Sequence, residues 1–196
     1  MEKISDQEAH ISWAWLFSEW PAFVERLTEF EQELGLETHS LEVDHCALRV
    51  NQTNTAERLL ESFAPFGSII SNKPVNGRPI ALLKLSTELV YQQRRIGCIE
   101  LPFPSNKRYP NAGWEHIEMV ASSSDSSMNA LSASCQTLVT RYVPNASKIG
   151  QQIQVKHSSP QAEGEQLPNP SIAFKKNGVC IKLHPHSIID VINSEQ

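Results

Sequence analysis

An approximate internal duplication constrains the fold of this chain more than any other feature of its 196 residues. Residues 44–50, DHCALRV, resemble residues 115–120, EHIEMV, and residues 97–102, GCIELP, resemble residues 180–185, CIKLHP. Each half therefore opens with an acid-His strand and closes with a Cys-Ile-charge-Leu strand. Two copies of one unit usually pack together, so that equivalent positions meet at the seam between them.

Both halves have the pattern strand, helix and then three strands. Residues 54–57, NTAE, form a capping box before a helix, and a second helix is predicted over 126–140. Asn76-Gly77 and Asn177-Gly178 are typical of hairpin turns. We therefore predict an α+β domain over residues 39–196, in which two βαβββ modules, about 41–104 and 111–186, form a curved mixed sheet around a cleft. A short helix follows at 187–193.

The N-terminal residues, 1–38, are predicted to be a helical extension. Apolar side chains recur at helical spacing over about 5–37, and Ser5 to Glu8 fits a capping box. Pro21 either kinks this helix or opens a second one. Three tryptophans, at 13, 15 and 20, indicate a helical hairpin laid over an apolar surface. That surface is either the chain's own sheet, which we favour, or a partner protein.

Alternation along the strands gathers the polar side chains on one face of the sheet. Sets that share this face are His45, Ala47 and Arg49; Trp114, His116 and Glu118; Cys98 and Glu100; and Cys180, Lys182 and His184. The opposite faces are apolar and suited to cover by helices. A cleft lined with so many charged groups is costly to bury unless a metal or ligand compensates them. We expect His45, Glu100 and His116 to converge there, and two histidines with a carboxylate are typical ligands of a divalent metal.

Composition narrows the function classes. A formal net charge of −5 and a pI near 5.8 disfavour nonspecific nucleic-acid binding. No apolar run approaches the roughly 20 residues of a membrane span, and no secretory signal opens the sequence, so we expect a cytoplasmic protein that does not enter a membrane. The 4 cysteines stand singly without a CxxC pair, which indicates packing rather than a structural zinc site.

These residues resemble those of the vicinal oxygen chelate superfamily, which includes glyoxalase I, extradiol dioxygenases and antibiotic-resistance proteins. More narrowly, residues 113–118 (GWEHIE), 76–80 (NGRPI) and 100–102 (ELP) are similar to motifs of the bacterial YecM family, over nearly the whole chain. The superfamily resemblance implies paired βαβββ modules around a metal, with ligands on the first and last strands of each module. His45, Glu100 and His116 then take three ligand positions, and Lys182 takes the fourth, where such proteins often carry Glu.

Three functional hypotheses follow. In the first, His45, Glu100 and His116 hold Zn²⁺, Fe²⁺, Mn²⁺ or Ni²⁺ in an isomerase, lyase or oxygenase that acts on a small anionic, oxygen-chelating substrate. Glu118 would then shuttle protons or instead be a ligand, and Arg49, Arg78 and Lys182 would hold a carboxylate or phosphate. In the second, the same cleft binds a small molecule without turnover, which Lys182 favours. In the third, the Trp-rich helices are an interaction scaffold. We expect a monomer or a homodimer.

Overall fold

The computed structural model describes residues 8–36, 41–121, 153–158, 167 and 169–194. The described helices are α1 (Trp13–Leu34), α2 (Thr53–Glu61) and α3 (Ile188–Asn193). The described strands are β1 (Glu42–Arg49), β2 (Gly67–Val75), β3 (Arg78–Tyr91), β4 (Arg94–Pro102), β5 (Gly113–Val120), β6 (Gln154–Ser158), β7 (Ser171–Lys176) and β8 (Val179–His184). The predicted helix at 126–140 and most of the loop before β7 lie outside the described residues.

All eight described strands form one mixed sheet in the order β2-β3-β4-β1-β5-β8-β7-β6. The two halves have the same strand order. In each module the first strand lies next to the last strand and parallel to it: β1 pairs with β4, and β5 pairs with β8. The first strands of the two modules, β1 and β5, pair antiparallel at the centre. The duplication in the sequence is therefore a duplication of strand order, and the predicted fold class is confirmed. The paired modules are also the arrangement implied by the resemblance to the vicinal oxygen chelate superfamily.

Helix α1 begins later than the sequence indicated. Ser12 is its N-cap, and the Ser12 hydroxyl accepts a hydrogen bond from the Trp15 amide. The predicted capping box starts at Ser5, which lies outside the described residues; its other end, the Glu8 carboxylate, accepts hydrogen bonds from the backbone amides of Asn51 and Gln52. At the other end, Gly35 adopts a φ of 70°, a left-handed conformation that glycine favours at helix ends.

The predicted helical hairpin is also wrong, because α1 continues through Pro21 as one helix. Proline removes one backbone hydrogen bond and strains the preceding turn. Trp20 and Phe23, on either side of it, are both buried in the core, and this burial outweighs the lost hydrogen bond.

The tryptophans of α1 attach the helix to its own sheet. The indole N–H of Trp13 donates to the Leu59 carbonyl of α2, and that of Trp20 donates to the Val90 carbonyl of β3. Both side chains are buried, whereas Trp15 is half-buried. The tryptophans of α1 therefore pack on the chain's own domain, which is the alternative that the sequence favoured. In the described part of the chain, no helix is both long and apolar enough to cross a bilayer.

Candidate metal centre

Two β-bulges determine which side chains face the cleft. Along β1, Val43 pairs with Met119 and His45 with Glu118, so Asp44 is an extra residue in its strand. Along β5, the extra residue is Glu115, because Ala47 pairs with His116 and Leu48 pairs with Trp114. A bulge locally changes the direction of the side chains around it. In both modules the bulge therefore falls on the acid of the acid-His pair.

The bulges correct one predicted face. Trp114 was expected to share the cleft face with His116 and Glu118. Its indole N–H instead donates to the Leu16 carbonyl of α1 at 2.6 Å, and its ring packs against Trp20. Without the extra residue at Glu115, Trp114 and His116 would have stayed on one face.

The predicted metal ligands do converge. His45, Glu100, His116 and Glu118 each offer a ligand atom, and these atoms all lie within 4.8 Å of one another. His45 Nε2 lies 3.5 Å from Glu100 Oε2 and 3.5 Å from Glu118 Oε1. His116 Nε2 lies 3.0 Å from the same Glu118 oxygen. Glu118 thus stands within the donor set, and its predicted role as a proton shuttle stays a prediction.

A carboxylate holds the far nitrogen of each imidazole. Asp44 Oδ2 lies 2.8 Å from His45 Nδ1, and a Glu115 carboxylate oxygen accepts from His116 Nδ1. Carboxylates in this position fix the ring orientation and the tautomer of metal-ligating histidines. Asp44 Oδ2 also accepts the backbone N–H of Ile188, which joins α3 to the site. The acid-His pairs were visible in the sequence, but strand alternation alone places acid and imidazole on opposite faces.

The arrangement fits a divalent cation. His45 is almost completely buried, and its Nε2 has no hydrogen-bond partner among the described residues although it lies 3.5 Å from two carboxylates. A buried imidazole nitrogen in this state requires a proton or a metal between it and the carboxylates. Two imidazoles and two carboxylates suit Zn²⁺, Fe²⁺, Mn²⁺ or Ni²⁺.

The charges of the site favour a cation at its centre. Burial by itself lowers the pKa of His45, but the Glu118 charge, the hydrogen bond that His45 donates to Asp44 and the nearby Glu100 carboxylate raise that pKa well above its ordinary value. Burial raises the pKa of Glu100, but the nearby His45 imidazole and the Lys182 charge lower it to about 2. The carboxylates therefore stay ionised, and a metal would compete with a proton for the same negative charges.

Lys182 lies beside this centre. Its ammonium donates to Glu118 Oε1 at 2.6 Å. Burial acts to lower the pKa of Lys182, but the Glu118 and Glu100 charges outweigh burial and raise it, so the side chain stays charged. Lys182 therefore neutralises part of the site without being able to ligate a metal.

Arg49 and Arg78, the two arginines predicted to bind a ligand, line a cavity of about 330 Å³. The same cavity is lined by His45, Glu100, Glu118 and Lys182. Arg49 donates to Glu115 Oε2 at 3.1 Å, and its guanidinium stacks on the Tyr109 ring. Arg78 lies at the hairpin end of β3 and donates to the Phe103 carbonyl. A further histidine, His184, is next to Asp44, with its Nε2 3.6 Å from Asp44 Oδ2. Burial lowers the pKa of His184.

Comparison with known proteins gives the family. The family model described as YecM protein matches residues 13–195, which is nearly the whole chain. The chain belongs to the YecM family. It is 38% identical over 179 residues to Protein YecM of Escherichia coli strain K12, covering 91% of this chain and 92% of that protein. It is 35% identical over 176 residues to an uncharacterized protein of Haemophilus influenzae, covering 85% of this chain and 86% of that one.

A solved structure of the same kind supports the fold. The structural genomics protein EC4020 has a TM-score of 0.78 at 36% sequence identity, over 92% of this chain and 91% of that one. These findings confirm the resemblance to the YecM family that the sequence motifs indicated. None of the three names describes a reaction or a ligand, so the function has to be argued from the site.

Proposed function

We propose that this YecM-family chain binds one divalent metal ion through His45, Glu100 and His116, and that the metal binds a small anionic molecule through adjacent oxygen atoms. The reaction class that suits such a centre is isomerase, lyase or oxygenase. One observation carries the proposal: each imidazole has its Nδ1 held by a carboxylate, while the Nε2 of His45 faces Glu100 and Glu118 and the Nε2 of His116 faces Glu118. Both modules lie in one chain, so a single chain supplies the whole donor set.

The residues around the centre have separable tasks. Asp44 and Glu115 orient the two imidazoles, and Glu100 supplies negative charge from the last strand of the first module. Glu118 Oε1 lies between the imidazoles, where it is a fourth donor or, once displaced by a ligand oxygen, a base next to that ligand. When bound, the metal would act as a Lewis acid on an oxygen atom of the ligand.

Metal analysis of the purified full chain tests this proposal. We expect about one metal ion per chain by mass spectrometry after growth in supplemented medium. His116→Ala should lose the metal, and so should Glu100→Gln, which removes a charge at nearly constant volume. His157→Ala is the matched control, because His157 lies exposed on β6. Circular dichroism would establish that each variant is folded. A folded wild-type chain that stays metal-free after reconstitution would refute the proposal.

A second candidate is a binding protein without turnover, and Lys182 is the observation that favours it. The Lys182 ammonium already neutralises Glu118, so the cleft can carry compensated charges without a metal. The test is to compare binding of inorganic phosphate and of succinate before and after removal of metal with EDTA. Equal affinities would favour the metal-independent binding protein, whereas a large loss on metal removal would favour the metal centre.

A further inference from the structure

Arg49 is a buried cation whose hydrogen-bonding capacity is largely unused. Its side chain is 9% exposed, and its Nε and Nη1 atoms are buried without a hydrogen-bond partner among the described residues. Only Nη2 has a hydrogen bond to a described residue, which goes to Glu115. Unpaired buried donors on a charged group are destabilising, and each such group in a folded protein requires an explanation.

Glu115 compensates the Arg49 charge only in part. The same carboxylate also accepts from His116 Nδ1 and lies 3.3 Å from the Lys175 ammonium. Three positively charged or donating groups therefore share one carboxylate. A further anion next to Arg49 would therefore be electrostatically favourable.

Among the described residues, the lining of the cavity on which Arg49 lies carries more positive than negative charge. Even without Lys73, four described cationic side chains outnumber the two described carboxylates, Glu100 and Glu118; they are Arg49, Arg78, Lys156 and Lys182. Those two carboxylates belong to the candidate metal centre. A divalent metal there would make the cavity still more positive, so its occupant must supply negative charge.

Arg49 is separated from the metal centre along one strand. His45, Ala47 and Arg49 occupy alternate positions of β1, with the small Ala47 between the two functional side chains. Four residues of strand place the Cα atoms of His45 and Arg49 about 13 Å apart. At about 330 Å³, the cavity is at the small end of the range for ligand sites and suits a compact molecule.

We propose that Arg49 is a second anion-binding subsite, and that the ligand is a small organic acid with a carboxylate or phosphate group separate from the oxygens that meet the metal. The placement of those other oxygens rests on the proposed function. Arg49 is the subsite because its Nε and Nη1 have no hydrogen-bond partner in the described part of the chain, whereas Lys182 is engaged by Glu118 and Arg78 donates to the Phe103 carbonyl. Arginine binds carboxylate and phosphate groups through charge-assisted hydrogen bonds.

The test is calorimetric titration of the full chain, with and without metal, against four probes. The probes are succinate, glutarate, inorganic phosphate and the uncharged analogue succinamide. Removal of Arg49 in Arg49→Met should weaken succinate or glutarate binding roughly tenfold or more, since hydrogen bonds to charged groups contribute that much. Succinamide should bind far more weakly than the diacids. A preference for phosphate over the diacids would assign the subsite to a phosphate group instead of a carboxylate.

Two further variants make the result decisive. Arg95→Met removes an exposed arginine whose nearest carboxylate, on Glu88, lies 3.9 Å away, and it should leave affinity within twofold. Arg49→Lys keeps the charge with fewer donors, and it should bind with intermediate affinity even if Arg49→Met does not fold. Binding by Arg49→Met or Arg49→Lys that equals the wild type would overturn the subsite. If the chain binds no metal and the diacids still need Arg49, the subsite stands and the proposed metal centre fails.

Discussion

Removal of the Lys182 charge should strengthen metal binding. In Lys182→Met, the ammonium that lies 2.6 Å from Glu118 Oε1 is replaced by an uncharged side chain of similar length. The Lys182 charge and a divalent cation about 4 Å apart would repel by about 8 kcal/mol at an effective dielectric constant near 20. The Lys182 side chain is 24% exposed and can turn toward water, which relieves most of this repulsion. We therefore expect a gain of about 1–2 kcal/mol, or roughly 5- to 30-fold in affinity.

The assay is competition for Zn²⁺ between EDTA-stripped protein and a chromophoric chelator. Lys176→Met is the matched control, because the Lys176 ammonium also makes a 2.6 Å ion pair, with Glu33, on a 19% exposed side chain distant from the centre. Lys182→Arg retains the charge and should bind zinc like the wild type. Unchanged or weaker zinc binding by Lys182→Met would show that this ammonium does not oppose the cation.

Three further predictions concern the support of the site and the core. Asp44→Asn should weaken zinc binding about 10- to 100-fold in the same assay, because Asp44 orients the His45 ring; an unchanged affinity would count against that role. Glu31→Gln should lower the free energy of unfolding in urea by about 2 kcal/mol, because buried Glu31 Oε2 accepts from Arg94 and two neighbours, whereas Glu25→Gln on the exposed face should have almost no effect. In a Cys135→Ser background, a thiol reagent at pH 8 should label the folded chain only slowly and the urea-unfolded chain fully; rapid native labelling would contradict this. The reason is that burial raises the thiol pKa values, to about 11 at Cys98, to about 12 at Cys180 and further at Cys46.

Much of the architecture could be predicted because its signals are local. Asn76-Gly77 and Asn177-Gly178 adopt the positive-φ turns that the sequence indicated, and they join β2 to β3 and β7 to β8. The repeated acid-His and Cys-Ile-charge-Leu segments became the paired strands β1 with β4 and β5 with β8. The beginning of α1 was missed because the predicted helix ran through Glu8, which hydrogen-bonds to residues 43 and 44 positions along the chain, whereas α1 begins at Trp13.

The candidate site, too, could be predicted from the sequence only in part. Residue type and strand alternation sufficed to bring His45, Glu100, His116 and Lys182 to one cleft. They did not reveal Asp44 and Glu115 as the groups that hold the imidazoles, nor the turn of Trp114 toward α1. Those features depend on two bulges, and a bulge exists only in relation to the strand opposite it.

Turns, caps and side-chain alternation act over a few neighbouring residues, so the two-module architecture and the residue types of the candidate centre follow from the order of the amino acids. The position of Glu118 between the imidazoles, and the two Arg49 donors without a partner among the described residues, follow only from how the strands pair. Both outcomes arise where β1, β5 and β8 meet, since the partners of a buried charge are set by the register of strands distant in the chain.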